Sequence, residues 1–272
     1  MIAEAIHSLV DSLNSVFLII GERAGRKPAD REHPVGHGRE TYFWTLVAAI
    51  STFAGGGAVS VYQGIVHLVR RHQVAQSGWS YIVLGVAAAF EVVAVVVAYR
   101  EYQNDRHRRD GLWQSFVAAK DLTTYAVLFE NLAALAGVFI AFAGVLISRL
   151  TGSTVVDAIA SVIIGLLLCA VALFLARESR GLLIGESVDP HVEHRMREIA
   201  EACPDVEQVL YILTVQTGPH DVFLAMDVRF RPALTAARMV EVIDAIESGV
   251  RKQYPDAKRI FIEADRIVAA TK

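Results

Sequence analysis

A chain of 272 residues that is 54% hydrophobic, with a mean hydropathy of +0.40, is too apolar for an ordinary soluble protein. Its charges are sparse through several long segments up to Ala176 and dense afterwards, the pattern of a membrane unit followed by a soluble one. A net charge of -3 argues against a nucleic-acid partner, and Cys169 and Cys203, far apart, have neither metal-ligand spacing nor the pattern of a disulfide framework.

The first segment, residues 2–21, is apolar enough to cross a bilayer yet carries Glu4, His7, Asp11 and Asn14. Their steps of three, four and three residues return to one face of an α-helix. A charged group in mid-membrane costs roughly 2.5–3.5 kcal/mol or more, so such groups usually mark a pathway for an ion, a proton or a substrate. His7 and Asp11, at i and i+4, offer an imidazole nitrogen and a carboxylate to one point, which suits a borderline divalent metal such as zinc. The alternative is that both only hydrogen-bond neighbouring helices. There is no basic n-region and no cleavage site, and Met1 opens directly inside the helix, so a further helix is expected before it.

Four more segments meet the requirement of about 20 residues for a spanning helix: 43–69, 79–99, 122–147 and 154–176. Arg23, Arg26, Lys27, Arg31 and Arg39 follow the first span. Arg100, Arg106, Arg108, Arg109 and Lys120 follow the third, and Arg177 and Arg180 the fifth. Basic loops stay cytoplasmic, which places the C-terminal part in the cytoplasm.

The first loop crowds Asp30, His33 and His37 into eight residues, with Gly36 and Gly38 to turn the backbone. This fits a bound divalent metal; the other reading is a Pro/Gly loop whose histidines cap a helix or meet lipid headgroups. In the second span Gly55-Gly56-Gly57-Ala58 and Gly64 read as close helix packing rather than chemistry. Glu91, the acid of the third span, reads as a structural partner or as a proton-carrying group. Glu130 is the single ionisable group in the middle of the fourth span, with Asn131 beside it, and is the candidate to complete a site with His7 and Asp11. Asp157, near the outer end of the fifth span, reads as structural or as a vestibule acid.

The sequence divides into a transmembrane unit over 1–185 and a soluble one over 186–272. Asp189-Pro190 starts a helix that runs to about Ala202. Residues 206–216 and 222–230 alternate as strands around the turn Thr217-Gly218-Pro219-His220. A helix over 235–253 buries Val240, Ile243, Ile246 and Val250, and a strand covers 259–265. The order αββαβ suits a small open sheet covered on one face by two helices, and pairing with a second copy would help so small a core.

These residues resemble the cation diffusion facilitator family of divalent-metal exporters. His7-x-x-x-Asp11-x-x-Asn14 is similar to its metal-binding second helix, and the run from Asp30 to Trp44, then Tyr62-Gln-Gly64-Ile, to its following loop and third helix. Asp121-Leu-Thr-Thr with Leu-Phe-Glu130, and the stretch from Arg177 to Glu186, resemble the branch that includes mitochondrial and nuclear zinc transporters. The family's first transmembrane helix has no counterpart here.

The resemblance implies an α-helical transmembrane bundle, five spans here against six in the family, with a ferredoxin-like cytoplasmic domain and a homodimer. It implies a secondary active transporter in the lipid bilayer, not an enzyme, that exports a divalent metal in exchange for protons. Zn²⁺ is the first choice of cargo, with Mn²⁺, Fe²⁺ or Co²⁺ as alternatives, and the bacterial inner membrane is the expected location. No resident cofactor is expected. His7 and Asp11 take the family's transport ligands, with Asn14 beside them, and Asp30, His33 and His37 its loop site. The family's other transport pair falls on Phe129 and Ala133 in this register, a departure for which Glu130 is the substitute. The soluble domain lacks the family's usual histidines, so no strong metal site is expected in it, and His220 and Asp265 are weak candidate ligands. The alternative function is a non-transporting membrane metal sensor or partner subunit. An intramembrane enzyme finds no support, since neither His-Glu-x-x-His nor Gly-x-Ser-x-Gly is present.

Overall fold

The computed structural model describes residues 2–70, 79–104, 122–151, 155–232 and 234–265; the side chains of residues 2–9, 11, 70, 79–84, 101, 102 and 104 lie outside that description. The first part is helical: α1 (Ile2–Gly25), α2 (Arg39–Ser51), a π-helical segment (Thr52–Ala58), α3 (Val59–Arg70), α4 (Trp79–Asn104), α5 (Leu122–Thr151) and α6 (Val155–Ile184). Among the described residues, three continuous helical stretches, 39–69, 122–151 and 155–184, are long and apolar enough to cross a membrane by length and composition. The rest is α7 (Pro190–Glu201), β1 (Val206–Gly218), β2 (Asp221–Phe230), α8 (Ala236–Gln253) and β3 (Arg259–Ala264).

Small residues set how closely the membrane helices approach. A Cβ on Gly21 would lie 2.7 Å from Trp44 Cβ, so α1 and α2 pack nearly in contact, and Phe17 stacks on Trp44 at 5.7 Å. A Cβ on Gly165 would lie 2.6 Å from the Val61 backbone nitrogen, which locks α3 against α6. Tyr42, Leu122, Tyr125, Leu128 and Leu182 form a buried cluster joining α2, α5 and α6. Phe90, Val97, Phe139, Leu150, Leu166 and Leu173 remain exposed, as expected of side chains turned to lipid.

The second span is not the plain α-helix that its apolar run suggests. Seven residues, Thr-Phe-Ala-Gly-Gly-Gly-Ala, wind as a π-helix between α2 and α3. A π-turn inserts an extra residue and re-phases the faces on either side of it, and such turns recur at functional sites.

Helix α6 runs two turns beyond the expected 154–176 and ends at Gly185, whose φ of +113° is a left-handed stop open chiefly to glycine. The chain then zips onto the sheet. Gln216 N donates to Glu186 O at 2.9 Å, and Ser187 Oγ meets Thr214 Oγ1 at 2.6 Å. Asp189 caps α7 by accepting from His191 N at 2.8 Å.

The sheet order is β1-β2-β3, antiparallel then parallel. Val222, Leu224, Met226, Val228 and Phe230 are buried on one face, as their alternation predicts. Helices α7 and α8 cover that face through Met196, Ala200, Val242, Ile246 and Val250. Val240 is a correction: it is 58% exposed, and Val242 takes the buried place. The buried stripe of α8 steps 242, 246, 250, and position 240 is about 200° round the helix from 242.

Candidate metal sites

The first cluster lies among the membrane helices. Asn14 on α1 is 8% exposed, and its Nδ2 donates to Glu130 Oε2 on α5 across 116 residues of sequence. Thr52, the first residue of the π-segment, donates from Oγ1 to Glu130 Oε1 at 3.4 Å. Each oxygen of the carboxylate is therefore held from a different helix. Asn14 Oδ1 is buried without a hydrogen-bond partner among the described residues. A buried acceptor left open is costly, and it marks a position for a water or a cation.

His7 and Asp11 stand seven and three residues before Asn14 on α1, and their side chains lie outside the described residues. Phe129 and Ala133, where the family's second ligand pair would fall, are given over to packing. Phe129 meets Phe174 edge-on at 5.7 Å, and Ala133 is 5% exposed. Thr52 was not singled out by its sequence. The available signal was a hydroxyl three residues ahead of a glycine triplet inside an apolar span.

The second cluster is the loop after α1. Asp30 Oδ1 accepts from Glu32 N at 2.9 Å and His33 N at 2.6 Å, an Asx turn that folds the loop back on itself. His33 N–H above all, with the nearby histidines adding to it, holds the Asp30 carboxyl below the usual aspartate range despite the opposing cost of burial. Gly36, at φ +86°, supplies the left-handed residue that brings His37 round. His33 Nδ1 then stands 3.5 Å from Asp30 Oδ1, His37 Nε2 stands 3.5 Å from Asp30 Oδ2, and the imidazole centroids are 4.3 Å apart.

One ligand atom from each of Asp30, His33 and His37 lies within 4.8 Å of the others. His37 Nδ1 faces Pro28 O at 3.2 Å. A carbonyl only accepts, so Nδ1 carries a proton there, and Nε2 is the nitrogen that faces Asp30. An imidazole held this way at its far nitrogen is prepared as a metal ligand.

The loop also docks on the C-terminal α/β domain. A Cβ on Gly38 would lie 2.5 Å from Thr217 O and 2.8 Å from Gly218 Cα. A cavity of about 710 Å³ opens beside this contact. Pro219 and His220 line it on the hairpin side, Ser15 and Val127 on the membrane side, so it approaches Asn14 and Glu130 along the chain by one and three residues.

His220 and Asp265 do not meet. His220 Nδ1 is 3.9 Å from Asp256 at one end of the sheet, while Asp265 holds Arg229 at 3.1 Å at the other.

A family model described as the cation efflux transmembrane domain matches residues 1–184, and one described as the cation efflux protein cytoplasmic domain matches residues 188–267. The mitochondrial proton-coupled zinc antiporter SLC30A9 of Xenopus laevis is 28% identical over 255 residues, 93% of this chain and 46% of that protein. Metal tolerance protein C4 of Arabidopsis thaliana is 30% identical over 194 residues, 70% of this chain and 42% of that protein. The manganese efflux system protein MneP of Bacillus subtilis is 25% identical over 274 residues, 97% of this chain and 85% of that protein. The chain spans less than half the length of the first two relatives.

Proposed function

From the premise that this chain belongs to the cation efflux family of membrane transporters, we propose that it is a secondary active exporter of a divalent metal, Zn²⁺ first, in exchange for protons. The observation that carries this reading is the meeting of Asn14 and Glu130, a buried amide and a carboxylate from the first and fourth spans, with Asn14 Oδ1 left without a partner among the described residues. His7 and Asp11 recur on α1 at the helical steps that end on Asn14. Together the four supply one nitrogen and three oxygen donors at membrane depth, a set that suits zinc and also admits manganese, iron or cobalt.

Metal entering through the cytoplasmic cavity needs neutral His7 and ionised Asp11 and Glu130, so its binding displaces protons. Once the helices rock and the metal leaves on the far side, the same groups take up protons there and carry them inward. Histidine, with an ordinary pKa of about 6.5, is suited to that exchange near neutral pH.

We assign residues 1–185 to the transport unit and 186–272 to a cytoplasmic unit that pairs two copies as a homodimer, in a bacterial inner membrane. The match of the dimer-forming cytoplasmic family and the coverage of a bacterial relative support this assignment. Asp30, His33 and His37 form a second, cytoplasmic metal site in this scheme.

The test is metal-driven proton movement in proteoliposomes, read by a trapped pH indicator. His7→Ala or Asp11→Ala is expected to abolish it. Undiminished exchange in either variant removes these residues from the site. Metal binding without any flux in the unaltered protein would instead identify a sensor or partner subunit.

A further inference from the structure

The π-segment touches the membrane cluster at two independent points. Thr52 Oγ1 is on Glu130 Oε1 at 3.4 Å. Three residues on, Gly55 faces Val10, the neighbour of Asp11 on α1, so closely that a Cβ there would overlap the Val10 side chain. The absence of a side chain at Gly55 lets the π-turn seat itself against the ligand-bearing stretch of α1, and from that seat Thr52 reaches the carboxylate of α5.

The two donors on Glu130 differ in what else they do. Asn14 is itself a ligand candidate through its open Oδ1. Thr52 is half-buried, and its contact with the site runs through Oε1 of Glu130. A carboxylate with a donor on each oxygen cannot swing as a unit to chelate through both. It presents one oxygen at a fixed angle. Four-coordinate Zn²⁺ is content with one oxygen from a carboxylate, whereas larger, oxygen-seeking Mn²⁺ gains from two and from a higher coordination number.

We infer that Thr52 is a specificity-determining positioning residue of the membrane site: its hydroxyl pins Glu130 in a one-oxygen mode and so favours Zn²⁺ over Mn²⁺. The inference rests on the reading of Glu130 as a transport ligand. It adds a residue from the third helical stretch, which the ligand pattern His7, Asp11, Asn14 and Glu130 does not include.

The experiment compares Zn²⁺ and Mn²⁺ transport by the full chain in proteoliposomes for the unaltered protein, Thr52→Val, Thr52→Ser and Glu130→Gln. Thr52→Val keeps the shape and removes the hydroxyl. It is expected to lower the Zn²⁺/Mn²⁺ ratio of kcat/KM by about tenfold, the scale of outer-sphere partners at metal sites. Thr52→Ser is expected to restore the ratio. An unchanged ratio in Thr52→Val, or a fall in Thr52→Ser equal to that in Thr52→Val, overturns the inference while leaving the transport reading intact, provided Glu130→Gln is inactive. An active Glu130→Gln overturns both. Should Thr52→Val carry neither ion, the ratio of Zn²⁺ to Mn²⁺ dissociation constants decides between the same outcomes, measured on purified full-length protein carrying D30A, H33A and H37A to silence the loop.

Discussion

The membrane cluster and the loop cluster use the same kinds of atom in opposite settings. Asp30, His33 and His37 span eight residues, and local rules bring them together: an Asx turn, a left-handed glycine and a backbone carbonyl that orients one imidazole. Asn14, Thr52 and Glu130 come from three separated helices, and only the packing of those helices brings them together. Two of the three loop side chains are exposed, whereas Asn14 is buried. A site made locally survives small shifts of the fold and exchanges freely with water. A site made by packing is lost when a helix moves, which is what alternating access requires of a transport site.

The sharpest break of this comparison is Glu130→Gln. It keeps the size of the side chain and removes the charge that a divalent ion needs. Export is expected to fall by more than roughly a hundredfold, beyond the range of outer-sphere changes, with loop binding unaffected. Measuring both on one preparation separates the two sites. His37→Ala is the mirror experiment. It removes the imidazole whose Nε2 faces Asp30, and loop metal affinity is expected to drop by about tenfold or more while export through the membrane cluster continues. If export stopped as well, the two clusters would be one functional unit.

Gly38→Ala probes the junction between the two regions. The added methyl would meet Thr217 O and Gly218 Cα at 2.5 and 2.8 Å, both backbone, so neither can yield by a rotamer change. Overpacking of this kind costs about 1–3 kcal/mol. A lowered thermal midpoint is expected, with loop metal affinity weakened because the loop leaves its seat on the hairpin. An unaltered midpoint would mean that the loop does not depend on that seat.

What could be read from the sequence divides along the same line. Period-two alternation gave the buried face of β2, and the Asp-x-x-His-x-x-x-His spacing placed the loop trio, because both are local. Of the helical recurrence His7, Asp11 and Asn14, the structure shows Asn14 meeting the lone acid Glu130, and the side chains of His7 and Asp11 lie outside the described residues. Thr52 was not legible, since its role depends on a π-turn that re-phases the span, and the Gly55-Gly56-Gly57 run was read as packing alone. Packing is indeed part of it, through Gly55 on Val10 and Gly57 on Cys169. The place of Val240 was missed for a different reason: α8 carries apolar residues at 239, 240, 242 and 243, and composition does not choose among them.

The smallest expected effect concerns acid, and it follows from the Asx turn. Asp30 accepts two backbone N–H groups, so its carboxyl is held below the ordinary aspartate value of about 3.9. A carboxyl lowered in the folded state contributes stability that is complete above its unfolded pKa and is lost only as pH falls through the lower, folded value. The turn should therefore persist at pH 4, where an ordinary aspartate is about half protonated. Asp30 is exposed, so the stability at stake is small and the observable is the carboxyl itself. In protein labelled with ¹³C-aspartate, the Asp30 carboxyl carbon is expected to keep the shift of the ionised form at that pH. Metal is expected to leave the loop at a higher pH than the one at which that signal changes, because protons compete with the ion for its ligands. Metal release that followed the Asp30 carboxyl signal downward would place the weak point of the site in the carboxylate instead, and the loop would then hold its ion chiefly by charge rather than by its two imidazoles.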